Sequence, residues 1–458
     1  MLRIESGSTR AYCDGVSRRN FVQLGVMGMA SVGLSRVLKA VQAPDTDKSA
    51  KDTSVILIWL DGGPSHMDLY DMKPQAPAEY RGIWKPVKTN VPGIEISELF
   101  ERQAKIADKF SIVRSLHHDD GDHYGGAHRM LTGRPGATGA NTTQTYPGIS
   151  AISAKVLGSR KPGIPPHIAV PVSSTVGIRP GYFSGNYLGH AYDPFETHGD
   201  PNGAKFNVEN LSLAPGMTIE RLEDRRSLCQ HFDTLRREID NSGAMASMDQ
   251  FERSAYELVT SPQAQKAFDI GSEDAPTRDL YGRTGWGQSC LLARRLAEAG
   301  ATFVTVHMGG WDHHWDLQAG MEHHLPQLDM AVSGLFTDLA RRGSLARTLV
   351  VMCGEFSRTP RMNDGGNGGP PRSKGTPGRD HWGNAMFCIL GGGGLRGGTI
   401  VGATDRLGER PLDRPLTPSH IHQTIYHVLG VDPKQQFLNL AGRPVPLVDE
   451  GEPIAELV

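Results

Sequence analysis

Cysteine is scarce in this chain, with five in 458 residues, at positions 13, 229, 290, 353 and 388. So few, so scattered, exclude a disulfide framework. Cys229, Cys290, Cys353 and Cys388 read instead as buried thiols, the last two lying inside apolar runs. No charge of one sign accumulates either: 48 Lys and Arg stand against 50 Asp and Glu, a net −2. That gives no ground for a nucleic-acid surface or a basic membrane patch. Long hydrophobic runs are absent, so no stable membrane span is expected in the mature chain. The glycine run Gly391–Gly394 lacks a following Lys-Ser/Thr and is no phosphate loop.

What the chain does have is loop formers, 55 Gly and 30 Pro, together with 18 histidines that gather in a few places. At the N-terminus, Ser17-Arg18-Arg19-Asn20-Phe21-Val22 precedes a mildly apolar stretch from Val22 to Leu34. This reads as a twin-arginine export signal covering residues 1–43, with Val41-Gln42-Ala43 as the cleavage point. The expected location is periplasmic or secreted, and the export machinery is the expected partner.

The stretch that organises the remainder is Thr53–Asp71. Its β-branched and bulky apolar run, Val55 to Leu60, breaks off in Asp61-Gly62-Gly63, as a buried parallel strand does when it delivers a carboxylate to the edge of a sheet. Further strands are predicted at Ser111–Arg114, His167–Val170, Ala301–His307, Thr348–Cys353 and Ala385–Leu390. Helices are predicted at Ser97–Lys109 with Ser97 as its cap, Tyr146–Leu157, Thr284–Ala299 closed by Gly300, Leu325–Arg342, and near Ser419–Leu429. Gly177–Leu213 reads as loop and Met217–Phe268 as two or three helices, an insertion at about 177–283 of one domain spanning 44–458. The alternation of strand and helix argues an α/β fold with a mostly parallel central sheet.

Acids and histidines collect at the strand ends, where ligands gather in open α/β sheets. They are Asp61; the loop from His117 to His128, with His123 preferred because glycines follow it; Asp312, His313, His314 and Asp316; and Glu355, with His381 arriving from a loop. Of the adjacent His313 and His314, one is expected to face a site, and His314 is preferred. Mixed imidazole and carboxylate donors suit Zn²⁺ or Mn²⁺ first, and Ca²⁺ or Mg²⁺ less well. Arg358 reads equally as a fork for an anionic substrate group or as the partner of an acid, and Arg379 beside Asp380 likewise. His323 and His324 are expected at the surface, and His420, His422 and His427 in ordinary helix packing.

Six segments carry a resemblance to a known family: Ser17-Arg18-Arg19, Leu60–His66, Leu131-Thr132-Gly133-Arg134, Gly310–His314, Gly354–Pro360 and Gly378–Trp382. In these the chain resembles the DUF1501 family, exported proteins related to sulfatases within the alkaline-phosphatase-like superfamily. The resemblance implies that Asp61 matches the superfamily's first metal-binding Asp, that Asp312 and His314 stand for a later ligand pair at altered spacing, and that His381 stands for the last ligand. Glu355-Phe356 replaces a late Asp-His pair. Counting back from Thr132 by the sulfatase spacing reaches His123, not a hydroxyl or thiol, and no Cys-x-Pro-x-Arg motif is present. The implied chemistry is metal-dependent hydrolysis of sulfate or phosphate esters, small or on polysaccharides, by activated water. In it His123 is a ligand or acid–base group, Arg358 an anion clamp, and Asp61, Asp312, His314, Glu355 and His381 the metal ligands. The alternative is a catalytically silent relative that serves as a binding or assembly component outside the cytoplasm.

Overall fold

The computed structural model describes residues 52–208, 255–364 and 371–458, together with Leu211, Thr218, Glu220, Arg221, Glu223 and Asp224. The twin-arginine segment lies outside these residues, as do Cys229 and most of the helical insertion. Of that insertion, a helix at Pro262–Phe268 is described.

The Val55–Leu60 run forms the middle of β1 (Ser54–Asp61), in which every residue is buried. Ile56, Ile58 and Leu60 face one apolar cluster, while Val55, Leu57 and Trp59 face another. A strand covered on both faces must be apolar at every position, which is why this one shows no alternation. The other strands of the sheet are β2 (Ser111–Leu116), β3 (His167–Val170), β4 (Phe195–Glu196), β5 (Phe303–Gly309) and β6 (Thr348–Cys353). A two-residue pair follows, β7 (Ser357–Arg358) with β8 (His381–Trp382), before β9 (Met386–Gly391) and β10 (Ile400–Val401) rejoin the main sheet. The eight-stranded order is β10-β2-β9-β6-β1-β5-β3-β4. All neighbours run parallel except those of β9, which is antiparallel to both β2 and β6.

Helices cover both faces. On one side α3 (Gly285–Ala299) and α4 (Leu317–Arg341) bury Leu292, Leu296, Leu328 and Leu335 against Ile58 and Val306. On the other, α1 (His123–Thr132), α2 (Ile149–Leu157) and α5 (Pro418–Leu429) bury Leu131, Ile152 and Ile425 against Leu57 and Val351. This is the expected α/β architecture with a mostly parallel sheet. Among the described residues no helix is long and apolar enough to cross a membrane.

Three elements differ from the pattern reading. Ser97–Lys109 is not an α-helix: Ser97 ends a short strand, and two 3₁₀ turns follow at Gln103–Lys105 and Ala107–Lys109. The N–H groups of Arg102 and Gln103 donate to the Asp329 carboxylate at 2.9 and 2.8 Å, an acceptor on α4 that displaces the helical one. Helix α4 begins two turns before Leu325 and carries Pro326 inside it, where a pattern reader stops because proline lacks the N–H. Strand β5 begins at Phe303, since the N–H of Ala301 is still held by the Leu296 carbonyl closing α3.

The sheet brings its chemistry to one edge. Asp61 pairs with Gly309 in register, and Trp59 with Cys353, so β1, β5 and β6 end side by side. Because β9 runs the opposite way, the residues before its start, including His381, arrive at that same edge.

Candidate metal centre

Glu355 follows the end of β6 and is fully buried. Both of its carboxylate oxygens accept from the Gly62 N–H, at 2.9 and 3.1 Å. Gly62 has φ +116°, and a Cβ there would stand 2.7 Å from the Asp312 nitrogen, so only glycine lets the turns after β1 and β5 close on each other. Helix α1 is capped by Asp122, whose side chain accepts from Tyr124 and Gly125, and it starts at His123. Gly126, one turn on, sits against the Glu355 carbonyl oxygen and Phe356, which a Cβ there would approach to 3.0 and 3.1 Å. His123 is thereby brought to Glu355, its Nδ1 lying 2.7 Å from Oε1.

Three imidazoles converge on Asp312. His123 Nε2 lies 3.4 Å from Oδ2, while His314 Nε2 and His381 Nε2 lie 3.0 and 3.2 Å from Oδ1. The opposite nitrogen of each ring is taken by an acceptor: His123 Nδ1 by Glu355, His314 Nδ1 by Asp380 at 2.8 Å, and His381 Nδ1 by the Gly121 carbonyl at 2.8 Å. A carboxylate or carbonyl only accepts, so each Nδ1 carries a proton, and each inward Nε2, which meets the Asp312 carboxylate, needs a second proton or a cation between them. His314 Nε2 and His381 Nε2 then face one another at 3.0 Å. Lone pairs that close repel unless a cation or a proton lies among them. The donor atoms of His123, Asp312 and His381 all fall within 4.8 Å of one another. An imidazole whose far N–H is held by a carboxylate or carbonyl is the arrangement that orients metal-binding histidines, so the residues present fit a divalent cation.

The electrostatics agree. Burial opposes charge on His123, but the hydrogen bonds and charges of Asp312 and Glu355 outweigh it and raise its pKa to about 9. Burial likewise opposes ionisation of Asp312, yet the three imidazoles and Arg358 hold it far below the usual carboxylate range. His314 is raised, first by Asp312. His381 is lowered by burial, and Glu355 is raised by burial despite His123. The cluster thus attracts positive charge, which a proton on His123 provides when no metal is bound.

The other expected residues are placed as follows. Asp61 is not among the converging donors: its Oδ1 and Oδ2 accept from the Val176 N–H at 3.1 and 3.0 Å, Oδ1 also faces Trp59 Nε1, and Oδ2 faces His307. Glu355 sits behind His123, with its oxygens occupied by Gly62 and that ring. Arg358 is fully buried, and its guanidinium is spent on the carbonyls of Gly62, Gly63 and Arg379 and on Asp312. It therefore holds Asp312 rather than standing open as an anion clamp. Arg379, also buried, pairs with Asp68 at 2.8 Å. Of the neighbouring pair, His314 joins the cluster, whereas His313 turns away toward Trp311 and His324. His324 is not a free surface residue, since it stacks on Trp286 at 5.0 Å. His118 Nε2 donates to the Glu355 carbonyl oxygen, 2.6 Å away. Asp316 accepts from the N–H groups of Lys374 and Gly375 and takes no part in the site.

Pattern reasoning did not assign roles to Asp380 or His307. Asp380 had one signal, its place directly before His381. His307 had another, an imidazole near the end of an apolar strand.

The fold and the cluster together define an α/β protein with a histidine–aspartate centre where parallel strands end. Over residues 52–458 the chain matches the family described as protein of unknown function (DUF1501), and it belongs to that family. Solved structures similar to it include a sulfatase from a Pseudoalteromonas species, with 14% identity over 85% of this chain and 72% of that one and a TM-score of 0.34. They also include an alkaline phosphatase from the Antarctic bacterium TAB5, with 12% identity, 83% and 98% coverage and a TM-score of 0.34. A lipoteichoic acid synthase from Listeria monocytogenes is similar at 9% identity, 89% and 77% coverage and a TM-score of 0.34. Likeness at these values says nothing of activity. No curated protein matches in sequence.

Proposed function

We propose that this protein is an exported, metal-dependent hydrolase of sulfate or phosphate esters, with esters on polysaccharides within its substrate class. The observation that carries the reading is the convergence of three Nε2 atoms on Asp312, each ring anchored from behind. In this reading His123, Asp312, His314 and His381 hold a divalent cation, Zn²⁺ or Mn²⁺ before Ca²⁺ or Mg²⁺. Glu355, Asp380 and the Gly121 carbonyl orient the rings, and Arg358 fixes Asp312. Asp61, the first ligand by resemblance, keeps the sheet edge in place and faces His307. The cation supplies a water of lowered pKa and a counter-charge for the ester oxygens. No side-chain hydroxyl or thiol is required as nucleophile. The protein is proposed to act beyond the cytoplasm after twin-arginine export, as a signal of residues 1–43 followed by one domain.

A specific observation favours the silent alternative: the position that carries the nucleophile in sulfatases is His123, tied here to Glu355 and Asp312. One screen separates the two readings. Wild type, Asp312→Asn and His314→Ala are tested on aryl sulfates and aryl phosphates with Zn²⁺ or Mn²⁺ present. The hydrolase reading expects turnover by wild type and a loss of 10²-fold or more in both variants, on the order of one removed transition-state contact. Folded, metal-loaded wild type with no turnover on any ester supports the silent relative.

A further inference from the structure

The near-zero net charge of the chain hides a local imbalance, at a hairpin on the surface. Strands Gln436–Leu438 and Pro444–Pro446 pair antiparallel, with Phe437 opposite Val445 and Leu438 opposite Pro444. The turn between them is closed by Asn439. Its N–H donates to the Arg443 carbonyl at 2.9 Å, its carbonyl accepts from the Gly442 N–H at 2.8 Å, and its Oδ1 accepts from the N–H groups of Ala441 and Arg443, each at 3.0 Å. Phe437 packs inward on the apolar cluster that holds Leu57 and Ile425. Leu438, the next residue of the strand, points the other way. It is 64% exposed, and Leu440 on the turn is 90% exposed. Ala441 and Pro444 stand exposed beside them.

From Pro433 to Val448 the sequence holds Lys434 and Arg443 and no acid. Both are exposed, and the flanking acids are engaged: Asp449 pairs with Arg134, and Asp432 accepts from the Lys434 N–H. A third cation, Lys155 on α2, stands 5.5 Å from the centre of the Phe437 ring. Single exposed leucines are ordinary on a protein surface. Two of them on a closed tip among cations form a pattern. A protein partner needs about 800 Å² on each side, more than the short turn Asn439–Arg443 offers. An anionic bilayer needs less, an apolar tip that enters among the headgroups and cations that stay with the phosphates.

We propose that this hairpin seats the protein on an anionic lipid bilayer, with Leu438 and Leu440 in the headgroup region and Lys434, Arg443 and Lys155 facing lipid phosphates. The attachment is peripheral and reversible, since two side chains enter rather than a spanning helix. Asn439 lowers the penalty of entry by holding the N–H groups of Ala441, Gly442 and Arg443 within the protein. The seat is independent of the metal centre. His123 opens α1, whereas the hairpin's Pro446 carbonyl accepts from Arg134, just past the far end of that helix, at 2.7 Å.

The test floats three proteins with the same N-terminus, wild type, Leu438→Ser with Leu440→Ser, and Lys434→Gln with Arg443→Gln. The vesicles are phosphatidylcholine alone or mixed equally with phosphatidylglycerol. Wild type should float with the mixed vesicles at low salt. The serine pair should lower its partition coefficient by about 10-fold or more, and the glutamine pair by roughly 10-fold, as should leaving out phosphatidylglycerol. All four side chains are exposed, so both variants should melt with wild type. Wild type that stays in the aqueous phase, or a serine pair that floats as well as wild type, overturns the proposal. So does a concentration-dependent dimer of wild type that the serine pair abolishes while no vesicles are bound, which gives the hairpin to a second copy of the chain. Independently, the emission of Leu440→Trp should shift to the blue on the mixed vesicles, and an unshifted emission also overturns it.

Discussion

At the scale of single residues, the site depends on what stands behind each ring as much as on the ring itself. Asp380 holds His314 by Nδ1, so that Nε2 meets His381 Nε2 at 3.0 Å. Asp380→Asn keeps the shape and removes the charge, and such changes behind a metal-binding histidine typically weaken affinity by roughly 10–100-fold. Competition against a chromophoric chelator measures this, and unchanged affinity would remove Asp380 from the centre. These anchors were not legible in the sequence. His314 and Asp312 could be singled out because they follow an apolar strand, but the partner of His314 lies 66 positions on and that of His123 lies 232 on. Arg358 shows the same limit. Local pattern left it open between substrate and acid, and the acid partner, Asp312, is 46 positions away.

At the scale of elements, the strands were the legible part, because burial on both faces writes itself as an unbroken apolar run. Ser97–Lys109 was misread because its turn is decided by Asp329 on a distant helix, which no local propensity reports. Two buried histidines give the scaffold its own pH signature. His167 on β3 and His422 on α5, which lies 2.8 Å from the Met130 carbonyl, are each pushed down to about 4 by burial. The unfolded chain protonates them near 6.5, while the fold keeps them neutral, so their stability is present above pH 6.5 and lost as pH falls toward 4. The loss amounts to about 3 kcal/mol for each residue over that window. Urea midpoints at pH 7 and pH 4.5 should show the fall, and His422→Gln should make it shallower. A wild-type midpoint that does not move would contradict the assignment.

At the scale of the whole molecule, the parallel order of β1, β5 and β6 and the reversed β9 together build the site. Three parallel strands end at one edge, and the antiparallel one starts there, so Asp312 and His381 meet at His123, with Glu355 behind that ring, although separated by tens of residues or more. The sequence pointed to that edge through Asp61 and its two glycines. In the structure Asp61 leaves the cluster and turns to His307, while Gly62 does the work of joining β1 to Glu355. The central claim is the cation, and elemental analysis tests it most directly. Protein folded with Zn²⁺ or Mn²⁺ available, then desalted, should carry at least one equivalent per chain, and Asp312→Asn combined with His381→Ala should carry none while staying folded. Wild type without stoichiometric metal, or the double variant with its metal unchanged, would contradict the account.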